Sequence, residues 1–404
     1  MLVKSNKKEI TLFTLYFLGW WMYFTQGVLG IRGIISQILL TVMIFWSMAC
    51  YYKVVVSRNQ NQILKSLNYL LILFVIYGCS QLLFTTDSGV GTRALDYVKK
   101  TLFSILPIWG YYYYFKRIDI SEKWLMFIIT MLLLYGIGEH VDGVRNMEQK
   151  IMEGTVIRST DEMVISAAYR LVPLFPLLFF IKKNEWFKYC AILIILVIAI
   201  LGVKRGPIII CAIATIICLW DNLTLTSLRK LRFSHILILL IAISGGYIIL
   251  SRMIEGNEFL IYRLEAMLEG DSSGRDDIYS SYYKFIVSET NVFLLIFGHG
   301  ADSTVKLLGS YAHNDWLEIG VNQGLFGVTL YLNYFIQLIK QWKKVKISHD
   351  LYMCIGVFIV VSIITSVLSM SINNQRISSH ICIAFFIFMS ENLFASNIKF
   401  KKTL

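Results

Sequence analysis

Long apolar stretches of about 20 residues, separated by short polar connections, dominate this sequence. An α-helix needs a stretch of about this length to cross the hydrocarbon core of a bilayer. The chain therefore predicts an all-α polytopic membrane protein, with residues 1–404 forming a single integral membrane domain. The twelve predicted spans are 10–30, 33–52, 67–85, 98–115, 123–138, 163–181, 187–203, 206–220, 234–250, 316–339, 351–371 and 378–396.

Composition points the same way and excludes several protein classes. Apolar residues make up 56% of the 404 residues and charged residues only 16%, against roughly 45–50% and about 25% in an ordinary soluble domain. A soluble enzyme, a disordered protein and a fibrous repeat are therefore excluded. At about 20 residues per crossing, the apolar residues would fill eleven or twelve crossings.

The basic residues predict the orientation of the chain. The net charge is +12, but the basic residues lie in short clusters between apolar runs, so they do not form the single basic surface that nucleic acid requires. Clusters such as those within 4–8, 116–123 and 340–346 follow the positive-inside rule when they face the cytoplasm. Both termini are then predicted to be cytoplasmic.

Two connections on the predicted outer side are longer than the others, one at 139–162 and one at 251–315. A long polar loop in a chain with so little polar material predicts recognition or catalysis. Within the larger loop, residues 259–268 and 276–287 have apolar positions at helical spacing. We expect these two amphipathic helices to lie on the outer membrane surface, with Ser273 capping the second.

Candidate chemistry concentrates where the larger loop re-enters the predicted tenth span, at His313, Asn314 and Asp315. A neutral imidazole at such a place can accept a proton from a hydroxyl group near pH 7. The alternative interpretation is that the histidine and asparagine only cap the tenth helix, and spacing alone leaves both open. On the same helix, Gly320, Gly324 and Gly327 would let another helix approach closely.

Several short motifs follow one another in a recognisable order: Gly274-Arg275, Gly298-His299-Gly300, His313-Asn314, Leu317, and then Gly324 and Gly327. This order resembles the large outer loop and following helix of the O-antigen polymerase and O-antigen ligase superfamily, which are integral-membrane glycosyltransferases with a GT-C-type fold. The resemblance covers about residues 200–335. Lys204-Arg205-Gly206 resembles the family's Ser-Arg-Gly step, with Lys204 replacing the serine.

The resemblance implies roles for these residues. His313 would be the catalytic base, and Arg205 and Arg275 would bind the diphosphate of a lipid-linked glycan, because a planar guanidinium makes bidentate contacts with phosphate oxygens. The further predicted substrate contacts are Arg170, Lys204, His299, Asn314 and Asp315. Arg170 lies within the predicted sixth span, where insertion of an arginine costs about 2.5–3.5 kcal/mol, so it should face a partner or a wet cavity. The alternative for Arg170 is an interfacial position.

The implied function is a polymerase that joins undecaprenyl-diphosphate-linked repeat units of O-antigen or capsular polysaccharide on the outer face of a bacterial inner membrane. One alternative is a ligase that transfers the finished glycan to lipid A core or to a protein. Another is a flippase of the same lipid-linked units. Glycosyl transfer is expected to need no metal and no cofactor. The expected partners are lipid-linked oligosaccharides, membrane lipids, a chain-length regulator and a flippase of the same pathway, and no nucleic acid.

Overall fold

The computed structural model describes residues 7–31, 33–57, 61–84, 88–152, 165–202, 204–225, 275–369, 372 and 377–402. These residues are almost entirely helical and include no β-strand. The prediction of an all-α fold is thereby confirmed. The chain divides into two compact units, the first formed by Met1–Ser121 with Gly274–Leu404 and the second by Glu122–Ser273.

The first unit begins with five helices, α1 (Lys7–Phe24), α2 (Ile34–Val56), α3 (Gln62–Phe84), α4 (Ser88–Ile105) and α5 (Pro107–Phe115). The second unit contains α6 (Glu122–Met152), α7 (Ala168–Leu171), a 3-10 helix (Val172–Phe180), α8 (Glu185–Leu201) and α9 (Arg205–Leu225). The first unit then resumes with α10 (Arg275–Ser288), α11 (Val292–Phe297), α12 (Ser303–Leu308), α13 (Asp315–Lys344), α14 (His349–Leu368) and α15 (Ile377–Lys402).

Four of the described helices are long and apolar enough to cross a membrane: Ile34–Val56, Gln62–Leu83, Glu122–Asn146 and His349–Leu368. Shorter apolar helices occupy Ala168–Phe180, Gly206–Cys218 and Ile377–Leu393. The multi-pass, membrane-associated character of the chain is therefore supported by its described helices. Twelve crossings and the direction of the chain stay predictions, and the predicted span 234–250 lies outside the described residues.

Three of the predicted spans are interrupted within the described residues. Span 98–115 divides into α4 and α5 at Pro107, which occupies the first turn of α5 and has no backbone N–H to continue a preceding helix. Span 163–181 forms a short α-helix and a 3-10 helix that contains Pro176. Span 316–339 is broken at Gly324, whose φ of 65° and ψ of −166° are not helical.

The two predicted outer loops contain more helix than expected. Helix α6 continues to Met152, so the first half of the connection predicted at 139–162 is helical, because a helix does not have to end where its sequence becomes polar. In the larger loop, the helix predicted at 276–287 is confirmed as α10. The predicted helix 259–268 and the capping residue Ser273 lie outside the described residues.

Helices α3 and α4 anchor the part of the first unit that carries the candidate residues. The Gln323 side-chain amide on α13 donates a hydrogen bond to the hydroxyl of Tyr97 on α4, with an N–O distance of 2.8 Å. The Tyr77 hydroxyl on α3 donates to the backbone carbonyl of Phe297, at the end of α11. Because Gln323 and Tyr97 are buried, their hydrogen bond holds the segment of α13 before the break at Gly324 against α4.

Candidate functional site

The His-Asn-Asp segment lies at the start of α13, and Asn314 is the N-cap of that helix. Its side-chain oxygen accepts hydrogen bonds from the backbone amides of Trp316 at 2.9 Å and Leu317 at 3.3 Å. These amides are among those that a helix start leaves without an intrahelical partner. The capping interpretation is therefore confirmed for Asn314. Its side-chain oxygen caps α13, and its contact with substrate stays a prediction.

His313, directly before this cap, has a different conformation and exposure. Its φ is 51°, in the left-handed region that non-glycine residues seldom adopt, at a cost of about 1–3 kcal/mol. The residue is exposed, whereas its neighbours Ala312 and Asn314 are buried. A strained backbone persists only where the surrounding structure fixes it. His313 is thus an exposed imidazole held between two immobilised residues.

A buried carboxyl group, Glu318, holds the segment before His313 in place. It is 3% exposed and accepts hydrogen bonds from the Ala312 backbone amide at 2.5 Å and the Thr304 hydroxyl at 2.8 Å. The Glu318 carboxylate also accepts hydrogen bonds from the Tyr282 hydroxyl at 3.3 Å and the Asn322 side-chain amide at 3.5 Å. Four donors thus surround this buried carboxyl group, and one of them is the backbone amide directly before His313.

Asp315 is also buried, at 1% exposure. Its carboxylate accepts hydrogen bonds from the Tyr331 hydroxyl at 2.8 Å and from the backbone amide of Ile372 at 3.2 Å. The contact of Asp315 with substrate stays a prediction. Its carboxylate ties the start of α13 to the segment that follows α14. A hydrogen bond from the Trp316 indole to the Ser366 hydroxyl at 3.1 Å ties it to the last turn of α14 itself.

The Gly298-His299-Gly300 turn fits into the break in α13. The backbone amides of His299 and Gly300 donate to the carbonyls of Val321 and Asn322, at 2.9 and 3.0 Å. The break at Gly324 interrupts the helical hydrogen bonds that these carbonyls would otherwise accept. A Cβ atom added to Gly298 or Gly324 would lie about 2.5 Å from backbone atoms of the other segment. The two glycines are therefore required for a direct backbone contact.

The His299 side chain points away from this contact and pairs with another loop residue. Its Nε2 atom lies 3.1 Å from a carboxylate oxygen of Glu289, and its ring centroid lies 5.0 Å from that of Phe285. The side chain is 17% exposed. His299 therefore contributes to packing within the loop, and its contact with substrate stays a prediction.

Arg275 begins α10 and reaches the end of α14. One guanidinium nitrogen donates to the backbone carbonyl of Leu368 at 3.0 Å, and the Tyr279 hydroxyl donates to that of Val367 at 3.1 Å. A cation at a helix C-terminus offsets the partial negative charge of the unpaired carbonyls. Because Trp316 bonds to Ser366 in the same turn, the starts of α10 and α13 both meet the end of α14. The structure thus brings Arg275 into the region that presents His313.

In the second unit, the Arg170 side chain contacts two side chains of α6. Its guanidinium forms an ion pair with Glu139 and donates to the Tyr135 hydroxyl at 2.7 Å. The prediction that Arg170 faces a partner is therefore confirmed, and the partner lies on α6. Its predicted contact with substrate stays a prediction.

Lys204 and Arg205 lie at the turn between α8 and α9. The Lys204 ammonium donates to the Ser166 hydroxyl at 2.7 Å and lies 5.6 Å from the centroid of the Tyr169 ring. Gly206 leaves room for the same tyrosine, because a Cβ there would lie 2.0 Å from its hydroxyl oxygen. Arg205 is the first residue of α9, and its side chain lies outside the described part of the structure.

No family model and no curated protein matches this chain. Within the described residues, no group of three or more histidine, cysteine, aspartate or glutamate side chains is arranged to hold a metal ion.

Sequence reasoning missed the polar network beneath His313, above all Glu318 and its partner Tyr282. One signal was available, because Glu318 and Asn322 are spaced i,i+4 and therefore share a face of one helix. Both are buried, as is Gln323. Buried polar side chains in a membrane protein are costly unless they are paired, and they mark sites of structure or function.

Proposed function

We propose that the protein is a polytopic membrane glycosyltransferase with about twelve crossings and a GT-C-like architecture. It joins oligosaccharide repeat units carried on undecaprenyl diphosphate at the outer face of a bacterial inner membrane. The observation that carries the proposal is the presentation of His313, an exposed imidazole with a left-handed backbone, beside the buried N-cap Asn314. Energy stored in a strained residue on a rigid scaffold is typical of active sites.

In the proposed reaction, the imidazole of His313 removes the proton from a hydroxyl group on the terminal sugar of the incoming unit. The hydroxyl oxygen forms a bond to the anomeric carbon of the donor chain. The bond between that carbon and the diphosphate oxygen breaks, and its electron pair leaves with the diphosphate. General-base catalysis of this kind contributes about 10²–10⁴-fold to a rate.

The leaving diphosphate gains negative charge, so cations near it stabilise the transition state. Arg275 is the proposed contact in the first unit, because its guanidinium has five N–H donors and the structure gives one of them to Leu368. Arg205 is proposed for the same role, with Lys204 and Arg170 as further contacts with the donor. Lys204, Arg205 and Arg275 are all predicted on the outer side, against the positive-inside bias, which supports an anionic substrate.

Surface polysaccharide length tests the proposal in cells. Cells lacking the gene are complemented with wild type, His313→Ala or Arg275→Ala at equal membrane expression, and the glycan is examined as a gel ladder. The proposal predicts that both variants leave a single repeat unit on its acceptor, with no ladder. Loss of all attached glycan with accumulation of long lipid-linked chains would show a ligase instead. A normal ladder in both variants would contradict the catalytic assignment.

A further inference from the structure

A cavity of about 670 Å³ lies in the first unit between the end of α2, the end of α5 and the middle of α15. Three basic side chains line it: Lys53, Lys116 and Arg117. Apolar side chains, including Val54 and Phe388, form other parts of its wall. None of these residues belongs to the network around His313. The cavity is therefore a feature that the proposed glycosyl transfer does not use.

Two of the three cations have no carboxylate partner among the described residues. The Arg117 guanidinium lies over the Tyr113 ring, 3.5 Å from its centroid, and the Lys53 ammonium lies 5.3 Å from the same centroid. Lys116, by contrast, forms an ion pair of 2.9 Å with Glu391. Two positive charges therefore lie beside the same tyrosine ring at this cavity.

A carboxylate also lines the cavity, at Asp119. It is exposed, and no ion pair within 4.0 Å joins it to either Lys53 or Arg117. The described residues thus do not neutralise these two cations at contact distance. Two like charges drawn together on one ring repel each other, and a bound anion between them would relieve that repulsion.

The location of the cavity favours a lipid as the source of that anion. Lys53 lies in the last turn of α2, a helix long and apolar enough to cross a membrane, so the cavity is at the level where headgroups lie. The positive-inside rule assigns this end to the cytoplasmic leaflet, which contains anionic lipids. Basic pockets between membrane helices on that side bind phosphate headgroups, and Arg and Lys are the side chains suited to phosphate.

We propose that the cavity lined by Lys53, Lys116 and Arg117 binds the phosphate headgroup of an anionic phospholipid. Arg117, stacked on Tyr113, would supply a planar set of N–H donors to the phosphate oxygens, and Lys53 a point charge beside it. The apolar wall would contact the upper part of the acyl chains.

Native mass spectrometry of the full chain in detergent tests this proposal. Phosphatidylglycerol and phosphatidylcholine are titrated in parallel into wild type and into the double variant Lys53→Gln/Arg117→Gln. The matched control is Lys343→Gln/Lys344→Gln, which removes two exposed charges from the end of α13, on the same predicted side and outside the cavity. Thermal unfolding of each protein establishes that it is folded before lipid is added.

Wild type and the control should bind phosphatidylglycerol in preference to phosphatidylcholine. The cavity variant should bind phosphatidylglycerol roughly thirtyfold more weakly, since each basic residue near a membrane surface contributes about 1 kcal/mol. Equal binding by the cavity variant and wild type would overturn the proposal, and so would an equal loss in the control. Displacement of the lipid by millimolar inorganic phosphate would show a site for a soluble phosphate and would overturn the assignment to a lipid.

Discussion

Replacing Glu318 by alanine should destabilise the protein more than replacing it by glutamine. The Glu318 carboxyl is 3% exposed and accepts hydrogen bonds from the Ala312 backbone amide at 2.5 Å and the Thr304 hydroxyl at 2.8 Å. Alanine would leave these buried donors without an acceptor, whereas glutamine keeps the length of the side chain and one acceptor oxygen.

The size of this effect follows from the buried donors that lose their acceptor. A buried donor left unsatisfied costs about 1–3 kcal/mol. Glu318→Ala leaves the Ala312 amide and the Thr304 hydroxyl in that state, so we expect it to lower the free energy of unfolding by about 3–5 kcal/mol. Glu318→Gln should cost clearly less, because its amide oxygen still accepts a hydrogen bond from the Ala312 amide.

Thermal unfolding in detergent, followed by tryptophan fluorescence at one pH, measures the effect. Asp277→Asn is the control, because Asp277 is exposed on α10 and its replacement should leave the unfolding temperature close to that of wild type. Equal losses of stability in Glu318→Ala and Glu318→Gln would refute the reasoning.

Three further predictions concern the scaffold and the second unit, each measured as a shift in thermal unfolding. Gly298→Ala should prevent the turn from entering the break in α13, because an added Cβ would lie within 3 Å of backbone atoms. Gly309 is the control, since its φ is also near 75° but it has no atom within 4 Å of an added Cβ. Gly309→Ala should therefore cost only about 1–2 kcal/mol. Asn314→Ala should cost about 1 kcal/mol and Asn314→Asp much less, since aspartate also caps helices; equal losses would argue against capping. Arg170→Gln should cost about 3 kcal/mol by leaving the Glu139 carboxylate unpaired, and adding Glu139→Gln should restore part of that loss. Additive losses would show that this ion pair does not contribute.

The sequence predicted those features that depend on near neighbours in the chain. Apolar spacing located α10 to within one residue at each end, because amphipathic periodicity is a local property. The capping role of Asn314 was one of two interpretations, and helix-start chemistry accounts for it. The insertion cost of Arg170 predicted that it has a partner.

Features that depend on contacts between distant segments could not be predicted from neighbouring residues in the chain. The break at Gly324 is set by Gly298, which lies on another element, and hydropathy records no backbone contact of that kind. Glu139 was placed at the start of a loop, and only the continuation of α6 shows it as the partner of Arg170. Glu318 lay within an apolar pattern that gives no sign of the donors surrounding a side chain.

Glycan chain extension by purified protein tests the central claim most directly. Wild type, His313→Ala and the control His349→Ala are reconstituted in nanodiscs with a lipid-linked repeat unit, and the length of the product is followed over time. The account predicts that His313→Ala lowers the rate at least about 100-fold while His349→Ala, at the other end of the first unit's α14 from Leu368, retains the rate of wild type. A folded His313→Ala protein that extends chains at the rate of wild type would contradict the account.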